Sequence, residues 1–324
     1  MWFICALLTA LGWGIADIFY KKASVTEEKY SHLKICIFVG IVMGIHALFV
    51  LLFQNINYNP INIIYYFPVS FMYFFAMVLT FFGLKYVEDS IASPVENSSG
   101  ALTAIMCFLI LGQTMSKLSL IGVIFVTIGI ISLGILQSKD NSDKNKKIGK
   151  KMLMIGFFMT VCYSLFNATG GLLDAYFLDV QKTPLVDVTE ETIELVANTS
   201  YELTYVIIAI IFTVYIKIKG EKINWLTQKD KLIAAIFETF GQLMYVFAMS
   251  GNAIIAAPIV SSVCIVSVIL ARIFLKEKMN LKQYFAIAST IIGILILAIA
   301  ETYWVSAIFY AQNIIINLFD KKLY

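Results

Sequence analysis

Trp13 and Asp17 stand four residues apart in WGIADIFYKK, inside the first apolar stretch of the chain. On a helix that spacing puts an indole and a carboxylate on one face. Tyr163 and Asn167 repeat it, and Glu238, Gln242 and Tyr245 fall at i, i+4 and i+7. Asn97 and Ser98 follow Pro94, as Ser261 and Ser262 follow Pro258. A proline within a helix frees a backbone carbonyl that a hydroxyl or a passing solute can use. Carboxylates, amides and aromatic faces at these intervals can hold a small polar solute. The acids favour a cationic or zwitterionic one, such as an amino acid, an amine or a nucleobase-like compound. The same residue types also glue membrane helices together. For a residue taken singly, packing is the commoner role; for the Glu238/Gln242/Tyr245 stripe a cavity is the better reading.

A charge at the centre of a bilayer costs at least about 2.5–3.5 kcal/mol, so such residues face a partner or a cavity. Four acids lie in or near apolar stretches: Asp17, Glu96, Glu202 and Glu238. At 1.5 Å per residue, Asp17 sits roughly 6–8 Å from the lysine-rich end of its helix, Glu96 about 8 Å and Glu238 about 10 Å from the same side. Lys85 and Arg272 fall in or near this layer. One reading is a closed salt-bridge network. Another is a gate whose pairs break and form, with one carboxylate kept protonated by burial to couple proton movement to transport. A third lets Asp17 or Glu96 snorkel to the interface.

Nothing in the sequence calls for a cofactor. The two histidines, His32 and His46, are far from any convergent ligand set, and a metal site needs one. His46, alone in its apolar stretch, reads as a packed hydrogen bonder in preference to a proton relay. The five cysteines lie in apolar segments without a C-x-x-C pair, as buried thiols do. No phosphate-cradling Gly-rich loop with lysine is present. An enzyme would need a catalytic cluster. Asp174 and Asp179 come nearest, and they read as loop residues with no partner, so no enzymatic activity is expected.

The elements that must position these residues follow from composition. The chain has 324 residues, 60% hydrophobic and only 14% charged, against about a quarter charged in soluble domains. Ten stretches reach the length of about 20 apolar residues that a spanning helix needs: 2–20, 33–53, 63–84, 91–111, 118–137, 152–172, 202–218, 231–250, 254–275 and 282–300. The first lacks the basic start and cleavage site of a signal peptide. The expected fold is therefore all-α and integral to the membrane. Residues 137–151 form a lysine-rich linker between a first unit, 1–136, and a second, 152–300. Residues 173–200 read as a solvated acidic loop, and 301–324 as an amphipathic tail, interfacial in preference to an eleventh span. Of the 24 basic residues, 20 fall on the linker side. The positive-inside rule then makes that side cytoplasmic and puts both termini outside, in a multi-pass protein of the plasma membrane.

The two units repeat. Residues 91–131 and 255–295 share 10 identities in 41 at a shift of 164, including Pro94 with Pro258 and Gly129 with Gly293. Five spans per unit force the second copy into the membrane from the opposite side. Inverted repeats of this kind build secondary transporters, with the solute path at their interface.

The WG pair of the first span, the proline-bearing fourth and ninth spans, the KEKMNLKQ turn and the five-plus-five order resemble the drug/metabolite transporter superfamily, in its EamA-like ten-helix branch. The resemblance implies alternating-access transport of a small metabolite, and it also permits a lipid flippase. The chain departs from the pattern in three places. Gln113 stands where the family usually has glutamate, loop 173–200 is long, and the lysine bias inverts the family's cytoplasmic termini.

Overall fold

The computed structural model describes residues 1–23, 30–83, 98–140, 150–221, 223, 228–274 and 280–320. Among them are ten helices and no strand: α1 (Trp2–Ala23), α2 (Ser31–Phe53), α3 (Asn62–Gly83), α4 (Ser99–Leu111), α5 (Lys117–Asp140), α6 (Lys150–Phe177), α7 (Ile193–Ile218), α8 (Lys229–Val260), α9 (Val263–Phe274) and α10 (Leu281–Asp320). Lipid offers no partner to a backbone amide, so each apolar stretch must close its own hydrogen bonds as a helix. Within the described residues, five helices contain stretches long and apolar enough to cross a membrane: Trp2–Tyr20, Ser31–Phe53, Ile193–Ile218, Lys229–Val260 and Leu281–Ala300. Three shorter apolar stretches, Asn62–Met77, Ser99–Leu111 and Lys117–Leu133, accompany them.

Three boundaries depart from the sequence reading. Helix α6 runs on to Phe177 and α7 already begins at Ile193. Asp174 is therefore a helical residue, 1% exposed, and not part of a solvated loop. The remaining connection is docked. Asn62, fully buried, donates from Nδ2 to the Val186 carbonyl at 3.0 Å and accepts from the Val186 N–H at 2.9 Å. Asn59 donates to Asp187 Oδ2 at 2.9 Å. At the turn that follows α6, the Lys182 ammonium beside Asp179 holds that carboxyl below its ordinary range. The tail starts no new helix: α10 continues unbroken for 40 residues, about 60 Å at 1.5 Å per residue and roughly twice the hydrocarbon thickness.

Helix α8 is two helices joined at Asn252, whose φ of −164° and ψ of 78° break the spiral. A short piece carrying Pro258 follows, and α9 starts again after the turn at Ser261 and Ser262. Helix α4 likewise starts directly after Ser98. Pro94 lies outside the described residues. Helices from before and after the linker interleave: α1 packs on α8 and α9, α6 on α3 and α4, α2 on α7, and α5 on α10.

Glycines set the closest approaches. A Cβ on Gly129 would lie 2.1 Å from Thr290 Oγ1, and one on Gly293 2.7 Å from the Gly122 carbonyl oxygen and the Val126 nitrogen. Overpacking of this kind costs typically about 1–3 kcal/mol. Gly129→Leu and Gly293→Leu are each expected to lower the thermal unfolding midpoint in detergent. Ile128→Leu, on the exposed side of α5, leaves that midpoint within error.

Candidate functional site

Five helices bring aromatic and acidic side chains into one column. On α6, Asp174 accepts hydrogen bonds from the Tyr66 hydroxyl and, at 2.7 Å, from the Tyr73 hydroxyl, both on α3. The Tyr73 oxygen lies 2.5 Å from the Tyr245 oxygen on α8. Because Tyr73 gives its one proton to Asp174, Tyr245 is the donor in that contact. The Tyr245 ring packs on Trp13 of α1, with centroids 5.2 Å apart and planes at 32°. Trp13 Nε1 donates to the Glu238 carbonyl at 3.3 Å. Gly241 makes that approach possible, because a Cβ there would sit 2.4 Å from the indole. Glu238 lies against Tyr20 and feels the charge of Asp17. Asp17 Oδ2 accepts from Ser267 Oγ of α9 at 2.7 Å. On α7, Tyr201 donates to Tyr205 at 3.0 Å and sets its ring edge-on to Tyr73 at 6.2 Å.

The column thus has a carboxylate group at each end. Asp17 and Glu238 lie toward the ends of α1 and α8 that carry Lys22 and Lys229, and Asp174 lies near the end of α6 away from Lys150. Between them, Trp13, Tyr245 and Tyr73 offer aromatic faces and hydroxyls. Such groups can hold a cation against ring faces and can pair an ammonium with a carboxylate.

The sequence-predicted residues divide. Trp13, Asp17, Glu238 and Tyr245 come together, and Gln242, 3% exposed, is buried on the same helix. Asn167 Nδ2 instead donates to Ser99 Oγ at 3.0 Å, and Ser164 Oγ pairs with Ser98 Oγ at 3.3 Å. Together these join α6 to the start of α4, and the partly buried Tyr163 sits on the same stretch of α6. Lys85, Glu96 and Asn97 lie outside the described residues, as does the side chain of Arg272, whose backbone falls in α9.

Sequence reasoning missed Asp174 with Tyr66 and Tyr73. The signal was present: Tyr163, Asn167 and Asp174 continue one stripe at i, i+4 and i+11, and Tyr66 and Tyr73 are seven apart. It also left His46 without a mate. His46 Nδ1 lies 2.8 and 2.9 Å from the two Glu202 carboxyl oxygens, across the α2–α7 contact. A cavity of about 370 Å³ opens where α8 breaks, bordered by Gln113, Asp179, Ser250 and Asn252. The Gln113 side-chain oxygen is buried there without a hydrogen-bond partner.

The model of the EamA-like transporter family matches residues 1–135 and 183–299. The chain belongs to that family. Its members are membrane transporters of the drug/metabolite type, so this is a multi-pass membrane protein of a transporter family. The match falls in two stretches, one before the linker and one after it. A solved structure described only as "Crystal structure of protein" superposes over 91% of this EamA-like chain and 96% of its own, with a TM-score of 0.64 at 11% identity. At that identity the likeness is one of fold. No curated protein matches the chain.

Proposed function

We propose that this EamA-like protein is a secondary transporter that moves a small cationic or zwitterionic metabolite across the plasma membrane by alternating access between two inverted five-helix units. The aromatic–carboxylate column at the seam of the units carries this reading. Trp13, Gln242 and Tyr245 line the solute path, with Tyr73 added, and Asp17 and Glu238 form the gate toward the lysine-rich face. Asp174 with its tyrosines closes the other end. Lys85, Glu96, Asn97 and Arg272 belong to the same assignment by sequence position.

The helix pairings support inversion. Exchanging the units maps α1 onto α6, α3 onto α8 and α4 onto α9, and the contacts α1–α8 and α1–α9 become α6–α3 and α6–α4, which are also present. At a shift of 164, Gly129 against Thr290 and Ala286 becomes Gly293 against Val126 and Gly122, again a pair of contacts the structure contains. The restart of α4 at Ser99 and of α9 at Val263 obeys the same shift. Lysine bias favours the linker side as cytoplasmic.

The test is counterflow in proteoliposomes, screened with labelled amino acids, amines and nucleosides. Expected is saturable exchange of a cationic or zwitterionic compound that Tyr245→Phe slows severalfold. Protein that is folded in both orientations and moves none of these classes overturns the reading. A lipid flippase would instead move a headgroup-labelled lipid between leaflets.

A further inference from the structure

The α2–α7 contact holds a histidine–glutamate pair that the solute column does not use. Gly40 and Gly44 of α2 let the backbones close. A Cβ on Gly40 would lie 2.4 Å from the Tyr205 carbonyl oxygen, and one on Gly44 2.7 Å from Val206. Beside this tight stretch the His46 ring faces both oxygens of Glu202. Glu202 is fully buried, whereas the His46 side chain is 25% exposed. Asn198 Nδ2 donates to Glu202 Oε1 at 2.9 Å, while its own Oδ1 has no partner. Among the described residues, the titratable group acting on Glu202 is His46, and the one acting on His46 is Glu202. Tyr58 is a further titratable group on this side among the described residues, and its hydroxyl bonds Ser200, two residues before Glu202, at 3.0 Å. Tyr201 and Tyr205, on either side of Glu202 in sequence, turn to Tyr73 and Phe74 of α3.

We infer that His46 and Glu202 are the proton-binding site that couples this transporter to a proton gradient. Intramembrane acids and histidines are costly and mark proton pathways. Here the partly exposed imidazole is the outer member of the pair and the buried carboxylate is the inner one. One proton arrives from water and binds the pair, changing its net charge from −1 to 0, and the same proton leaves to water on the other side; nothing is oxidised or reduced. Asn198 serves both states. Its N–H donates to an ionised carboxylate, and after a rotation of the amide its unpartnered oxygen accepts from a protonated one. Because α2 precedes the linker and α7 follows it, the proton acts on a bond between the two units. Tyr201 carries the change along α7 to Tyr73 in the solute column.

This inference rests on the transport reading, and the experiment separates the two. With the solute found by counterflow, uptake driven by a pH gradient is compared with exchange at equal pH. Glu202→Gln and His46→Gln are expected to lower the ratio of the two at least tenfold, and Glu202→Asp to restore part of it. An unaltered ratio overturns the assignment. If no solute moves, the transport reading fails by itself and a second measurement still judges the pair. His32→Gln leaves one imidazole, whose ¹⁵N resonances report its protonation. Titration of that ring between about pH 5 and 8, with a midpoint displaced by Glu202→Gln, supports a proton site. A ring that keeps one protonation state throughout removes it.

Discussion

Asp174→Asn should yield a folded protein that transports at least tenfold more slowly, whereas Asp174→Ala should unfold at a clearly lower temperature. The difference lies in what each leaves behind. Alanine strands the hydroxyls of Tyr66 and Tyr73, which now donate to the carboxylate. A buried donor without an acceptor costs about 1–3 kcal/mol, so two of them remove a sizeable share of a protein's marginal stability. Asparagine keeps the shape. Its oxygen accepts from one tyrosine and its N–H₂ donates to the other, whose proton must then turn elsewhere. Tyr73 is the one with an alternative, since its oxygen lies 2.5 Å from that of Tyr245. The donor order along Tyr245, Tyr73 and residue 174 is thereby reversed with every contact still made. Thermal unfolding and counterflow on the same two variants decide the matter. Asp174→Asn with normal stability and normal transport would reduce the carboxylate to packing.

How far the sequence reveals such a site depends on which residues interrupt an apolar pattern. The membrane fold was legible because apolar runs of spanning length admit few alternatives, and the stripe from Glu238 to Tyr245 was legible because helical spacing alone puts its members on one face. Asp174 was not, because an acid at the end of an apolar run looks the same whether the helix stops or continues. The Tyr66 and Tyr73 hydroxyls that hold its carboxyl within the continuing helix are distant in sequence. Glu202 was hidden in the same way: its two partners are His46 on another helix and Asn198, in a segment read as loop. The glycines at 40 and 44, at the small-xxx-small spacing of helix contacts, hint at a close neighbour without naming α7. The break at Asn252 was legible: the sequence reading ends one span at 250 and starts the next at 254, and Gly251 and Asn252 between them are weak helix formers.

Glu238→Gln is the change expected to separate solutes by charge. Glu238 shares its surroundings with Asp17, Tyr20 and the Trp13 indole, and among these groups the two carboxyls are the ones that can present a negative charge to a cation. An ammonium entering between Trp13 and Glu238 exchanges its water for a carboxylate and a ring face. Removing one partner of a buried charged contact costs about 2–5 kcal/mol, and each 1.4 kcal/mol is tenfold in affinity. The KM for a cationic solute should therefore rise by about thirtyfold or more, while a neutral analogue of the same size shows little change. Asp17→Asn should do less. The Ser267 hydroxyl that now donates to Asp17 can donate equally to an amide oxygen, and loss of the neighbouring charge relieves Glu238 of like-charge repulsion. Trp13→Phe removes the N–H bond to the Glu238 carbonyl but keeps a ring against Tyr245, so it should slow cationic and neutral solutes alike. A KM ratio between cation and analogue that moves with Trp13→Phe and stays fixed with Glu238→Gln would contradict the role assigned to the carboxylate.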